Sequence, residues 1–225
     1  MLFSWLFSDY SFGCHFGSFF NVCAAYIDNH LNTVLLYSQI ENLFGSGFAQ
    51  ILARQENGVW QINGEAIANT GWIIILLQII VSRLFERRKA LPSFMLGLFI
   101  AACGYFIIGY SINLGPATVI LGIAVFAIGE MISSPRIQEY ITWIAPKEKA
   151  GLYMGSNFLA TCIGALLSGI TYTKWFGDFE AMNNPEYIWY LLAAHLIVGV
   201  LVMYIFTKLW VILTNKRVKL TCNIV

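Results

Sequence analysis

The sequence predicts an all-α, polytopic bundle of about six membrane-crossing helices. Three observations predict it: a scarcity of charge, long uncharged runs, and loops that alternate between basic and neutral or acidic. Apolar residues make up 58% of the chain and charged residues 11%, against about 25% charged in an ordinary soluble domain. A soluble fold of 225 residues would need a polar skin that this composition does not supply. Aromatics, at 16%, suit the interfacial belts where Trp and Tyr settle between lipid and water.

The uncharged runs place the elements. Residues 66–82 lie between Glu65 and Arg83, and residues 90–129 carry no charge at all. Roughly 20 residues cross the hydrocarbon core, so the longer run holds two spans. Asn113-Leu114-Gly115-Pro116 divides it, because Gly and Pro end one helix and start the next. Helices are therefore expected near 92–112 and 117–143. Further spans cover 150–173 and 187–207, the last interrupted only by His195. These five spans and the basic C-terminal tail form a region over residues 62–225.

Residues 1–61 form a less defined segment. Apolar stretches near 2–27 and 31–53 are interrupted, the first by Asp9, Gly13, His15 and Gly17, the second by Glu41, Gly45 and Gly47. One crossing is expected there, in either stretch, and an aberrant gene start fits the same residues. A signal peptide is not expected, since no Lys or Arg precedes Arg54.

Loop charges orient the bundle. Arg83, Arg87, Arg88 and Lys89 form a basic loop, the turn at Asn113–Pro116 is neutral, Lys147 and Lys149 follow, and Asp178, Glu180 and Glu186 make the next loop acidic. Of the 13 Lys and Arg, all but Arg54 and Lys174 fall on one side, Arg136 and the tail's Lys208, Lys216, Arg217 and Lys219 among them. The positive-inside rule makes that side, and the C-terminus, cytoplasmic. The expected location is the plasma (cell inner) membrane.

Chemistry concentrates at Glu130. A carboxylate in mid-membrane costs about 2.5–3.5 kcal/mol on insertion scales and is a functional hypothesis by default. Ser134 follows four residues on and shares its face. Pro135 lacks an N–H and leaves the Met131 carbonyl without its helical donor. Carboxylate, hydroxyl and free carbonyl thus gather within little more than a turn. The bland reading is a structural carboxylate paired to a neighbouring helix. Arg136 and Glu139, three apart, are expected to pair on the helix surface. Asn69 either meets a solute or bonds a neighbouring helix, and His195 reads as a bonded interior histidine. Gly151, Gly155, Ala160, Gly164 and Ser168 read as a stripe for close helix packing.

Other classes find little support. The five cysteines form no C-x-x-C pair, and no metal-ligand or catalytic spacing occurs. No metal, no cofactor and no enzymatic activity is expected. A net charge of +1 offers no field for nucleic acid.

Gly129-Glu130-Met131-Ile132-Ser133-Ser134-Pro135, then Ile144-Ala145-Pro146, then Gly151-Leu152-Tyr153-Met154-Gly155 and Phe158-Leu159 form one connected pattern. It resembles helices ten and eleven of the major facilitator superfamily, and more narrowly of the proton-coupled oligopeptide transporters, over about residues 62–212. The resemblance implies half of a major facilitator fold, with Glu130 meeting a solute's amino group or coupling protons and Asn69 lining the cavity. Asn157 stands where that family has Trp, Thr70 where it has Pro, and Arg136 where it has a small residue. The resemblance also implies the partners: membrane lipid, a small solute with protons, and either the absent N-terminal six-helix half or a dimer partner. Such transporters bind between two six-helix halves, so the chain reads as a fragment or half-transporter. The alternative is a non-transporting membrane assembly or interaction protein.

Overall fold

The computed structural model describes the backbone of residues 2–222, and the surroundings of Gly13 and of residues 17–209. Helix α1 spans Leu2–His30, followed by the short α2 (Val34–Phe44) and α3 (Ser46–Ile51). A hairpin of β1 (Ala53–Glu56) and β2 (Val59–Ile62) leads to α4 (Gly64–Ala68) and α5 (Gly71–Phe85). Then come α6 (Ala90–Leu114), α7 (Pro116–Ile144), a 3-10 turn at Lys147–Lys149, α8 (Ala150–Ala181) and α9 (Tyr187–Cys222). Among the described residues, five helical segments are long and apolar enough to cross a membrane: Gly64–Phe85, Ala90–Leu114, Pro116–Ile144, Lys147–Ala181 and Tyr187–Leu209. They contain the five expected spans, but α8 runs on past residue 173 through Lys174, Asp178 and Glu180, which the sequence reading places in a loop; the molecule is an all-α membrane helix bundle apart from the hairpin.

The first 55 residues sort themselves by glycine. In α1, Gly13 and Gly17 allow close approach to α8: a Cβ at Gly13 would lie 2.3 Å from the Thr161 carbonyl oxygen, and one at Gly17 2.7 Å from the Ser168 hydroxyl. The 29 residues of α1 therefore stay helical through their interruptions and reach about 44 Å at 1.5 Å per residue. Residues 31–53 do not form one helix, because Gly45, at φ 87°, breaks α2 from α3. The hairpin was not expected, although its signal is present. Asn57-Gly58 takes positive φ at both positions, 50° and 81°, the two-residue turn that Asn-Gly favours. Arg54 straps the hairpin to the end of α1, pairing with Asp28 at 3.4 Å and Glu56 at 3.2 Å. Asp28 in turn accepts the Gly64 amide at 2.8 Å.

Helices α6 and α7 fold back on each other through Gly115, at φ 90°, with Pro116 opening α7. Pro suits that position because its missing N–H would be unsatisfied there anyway. Gly97 and Gly104 of α6 face Gly129 and Gly122 of α7, where any Cβ would meet the opposite backbone at 2.5–3.0 Å. Backbones in contact are the membrane solution to packing without a hydrophobic drive. Around them lies an aromatic core. Phe19 stacks on Phe126 at 4.4 Å, Tyr105 lies 4.9 Å from Phe126, and Trp189 lies 5.4 Å from Tyr26. This ties α1, α6, α7 and α9 together.

The outward faces of α5 and α8 remain apolar and exposed, through Trp72, Ile75, Leu76 and Ile79 on one and Leu152, Leu159, Leu166 and Ile170 on the other. Faces of that kind meet lipid or a further helix. The expected small-residue stripe of α8 is divided. Ala160, Gly164 and Ser168 are buried, while Gly151 and Gly155 have open space where a Cβ would stand.

Candidate functional site

Glu130 sits at the middle of α7, one residue after the close-packed Gly129. That glycine brings the α6 backbone against this turn, and the Glu130 side chain is half-buried. Its Oε2 is buried without a hydrogen-bond partner among the described residues. The Ser133 hydroxyl is occupied locally, donating to the Gly129 carbonyl at 2.9 Å and to the Glu130 carbonyl at 3.3 Å. Ser134 is half-buried and Pro135 exposed. The helix runs through Pro135 without breaking, so the Met131 carbonyl lies where the ring offers no donor.

Below Glu130, a groove of about 330 Å³ opens between α5 and α7, lined by Ser82, Phe85, Glu86, Pro135, Arg136 and Glu139 among others. Arg136 pairs with Glu139 in it, three residues apart. Pro135 thus faces a groove and not a packed neighbour.

Asn69 occupies the break between α4 and α5, where its Oδ1 accepts the Gly71 amide at 2.9 Å. It is exposed, about 20 Å up α5 from Ser82 at 1.5 Å per residue. Asn157 is buried on α8, and its carbonyl accepts the Thr161 hydroxyl at 3.1 Å. Glu130, Ser134 and Pro135 therefore form one local cluster, with Asn69 at the α4–α5 break and Asn157 on α8. Arg83, Arg87, Arg88 and Lys89 are exposed and, among the described residues, free of ion pairs. The side chains of Lys216, Arg217 and Lys219 lie outside the described residues.

Two further polar arrangements escaped the sequence. His30 and Asn29 of α1 meet Glu180 of α8, the histidine at 2.7 Å. Tyr26 of α1 lies within side-chain hydrogen-bonding reach of Ser111 of α6, and beside them Glu186 and Trp189 each bury a polar atom without a partner among the described residues. Their members are up to 163 residues apart, so no spacing rule brings them together. His195 is bonded to Tyr172 at 2.5 Å.

No protein-family model matches the sequence, and no curated protein does. Among solved structures, a POT family transporter in complex with a thioalcohol-conjugated peptide is similar, with a TM-score of 0.65 and 18% identity. The match covers 91% of this chain and 40% of that one. A POT family transporter in complex with 5-aminolevulinic acid is similar at a TM-score of 0.64 and 19% identity, covering 89% and 40%. The chain spans about two fifths of the length of these structures. The likeness establishes the fold, a membrane helix bundle built like part of a POT family transporter.

Proposed function

We propose that the chain forms one half of a secondary active transporter of the major facilitator type, moving a small solute with proton coupling. One observation carries this reading: a carboxylate in the middle of a membrane span keeps one oxygen buried and, among the described residues, unpartnered. A buried acceptor without a partner costs about 1–3 kcal/mol, more when charged. Such a group persists where its partner comes and goes, as a proton or a solute's ammonium does. Pro135 and the groove beside it give the same helix an irregular, accessible face, the kind tolerated at depth only where it lines a cavity or protein.

In this reading Glu130 takes the proton or the amino group, Ser134 supports it, and Asn69 and Asn157 line the path. The half-site is completed by counterpart helices, either a second six-helix half or a second copy. Helix α1 makes one crossing within residues 1–61, residues 62–225 make five, and the C-terminus and the loop holding Arg83, Arg87, Arg88 and Lys89 lie on the cytoplasmic side of the plasma membrane. Amino-bearing acids are the first solutes to test, since the two similar structures hold a peptide conjugate and 5-aminolevulinic acid.

The test is uptake of labelled dipeptide or 5-aminolevulinic acid into proteoliposomes under an imposed proton gradient. The protein is used as isolated with its membrane partners and, separately, as the chain alone. Uptake by the assembly and none by the lone monomer is expected. Saturable uptake by demonstrably monomeric chain contradicts the half-site, and absence of uptake of any amino-bearing solute by every assembly contradicts transport.

A further inference from the structure

At the end of α5 the chain turns sharply and α6 begins at Ala90. Between them lies a cavity of about 440 Å³, lined by Leu84, Phe85, Arg88, Lys89, Pro92, Ser93 and Leu96. Its composition is two-sided. Arg88 and Lys89 supply two cations, neither ion-paired among the described residues. Ser93 is 4% exposed and lines the cavity. Lys89 gives α6 no side-chain cap, so the first-turn amides of Ala90 and Leu91 have no intrahelical acceptor. The rest of the wall is apolar and opens onto exposed apolar rows, Ile80 and Leu84 on α5 and Leu96 and Phe99 on α6.

We propose that this cavity binds the phosphate headgroup of an anionic phospholipid. The phosphate sits against Arg88, Lys89, the Ser93 hydroxyl and the start of α6, and an acyl chain lies along Leu84, Leu96 and Phe99. A phosphate at a helix start between cations has both charge and donors to meet. The apolar rows select a lipid over a soluble phosphate, because a free anion makes no use of them. Basic pockets between membrane helices on the cytoplasmic face are suited to anionic headgroups. The inference needs no particular solute or coupling mechanism and depends on the proposed orientation only for which leaflet supplies the lipid.

Native mass spectrometry of the detergent-purified full chain tests it, titrated with phosphatidylglycerol and, separately, with phosphatidylcholine of the same acyl chains. The first phosphatidylglycerol should bind about tenfold more tightly than phosphatidylcholine. Each cation near an anionic lipid contributes about a factor of five, so Arg88→Gln with Lys89→Gln should weaken phosphatidylglycerol about 30-fold. Arg83→Gln with Arg87→Gln removes the same charge from outside the cavity and should change it less than about threefold. Should the first double variant fail to fold by circular dichroism, the single variants carry the test, at about fivefold each. Equal binding of the two lipids overturns the proposal, as does an equal loss in both double variants. Displacement of the lipid by free glycerol phosphate at similar concentration would assign the cavity to a soluble phosphate and sink the lipid.

Discussion

Gly129→Ala should destabilise the bundle strongly for the addition of one methyl group. Its Cβ would lie 2.5 Å from the Ala101 nitrogen and 2.6 Å from the Gly97 carbonyl oxygen. Both are backbone atoms, which have no rotamer to escape into. Optimal contact lies near 3.5–4.0 Å, so α6 and α7 must separate by about 1 Å, and a gap of that size forfeits roughly a quarter to a half of each contact's attraction. Overpacking of this kind costs about 1–3 kcal/mol, and backbone contact puts the estimate at the upper end, about 2–3 kcal/mol. For a chain of this size that lowers the melting temperature by about 4–12 °C. Gly155→Ala is the internal control, since a Cβ there meets nothing within 4 Å and alanine favours a helix over glycine by about 0.5–1 kcal/mol. Thermal unfolding of detergent-purified protein, followed by tryptophan fluorescence, reads both. A Gly129→Ala protein melting within a degree of the parent would refute the close-packed α6–α7 seam.

Two other outcomes follow from the same geometry. In intact cells, after removal of native cysteines, an impermeant thiol reagent should label Leu114→Cys and Asp178→Cys but spare Arg87→Cys, Lys147→Cys and Lys216→Cys. The opposite pattern inverts the proposed topology. Gly58→Val places a β-branched residue at φ 81°, a strain of about 1–3 kcal/mol. Amide hydrogen exchange in β1 and β2 should accelerate about tenfold or more while α6 and α7 keep their protection, and unchanged exchange would count against the Asn57-Gly58 turn.

The five spans were legible because charge is the one feature that hydrocarbon does not tolerate cheaply. Gly115-Pro116 was legible because turn chemistry is local. Helix α1 was harder: hydropathy treats Gly13 and Gly17 as interruptions, but they are contacts with Thr161 and Ser168, 148 and 151 residues away. The hairpin was overlooked for a different reason. Asn57-Gly58 is a strong local signal, and a search for 20-residue apolar windows passes over four-residue strands. The α8 stripe shows the limit of spacing rules, since Gly151 and Gly155 match the pattern and face open space. At the site, the depth of Glu130 and its proline were readable from one helix. The unpartnered oxygen, the groove against Ser82 and Phe85, and the open position of Asn69 depend on how separate helices meet.

Glu130→Gln tests the central claim most directly, measured as proton-driven uptake and as counterflow in the reconstituted assembly with its counterpart helices. The amide keeps the shape and most of the hydrogen bonding while removing the charge, and losing a buried charge relieves a desolvation cost, so insertion should be unchanged. Proton-driven uptake should fall about tenfold or more. Counterflow needs no net proton movement, so its survival assigns Glu130 to the proton, and its loss assigns Glu130 to the solute's amino group. Normal transport by Glu130→Gln throughout the range from about pH 5 to 8 would contradict both roles and make Glu130 a structural carboxylate.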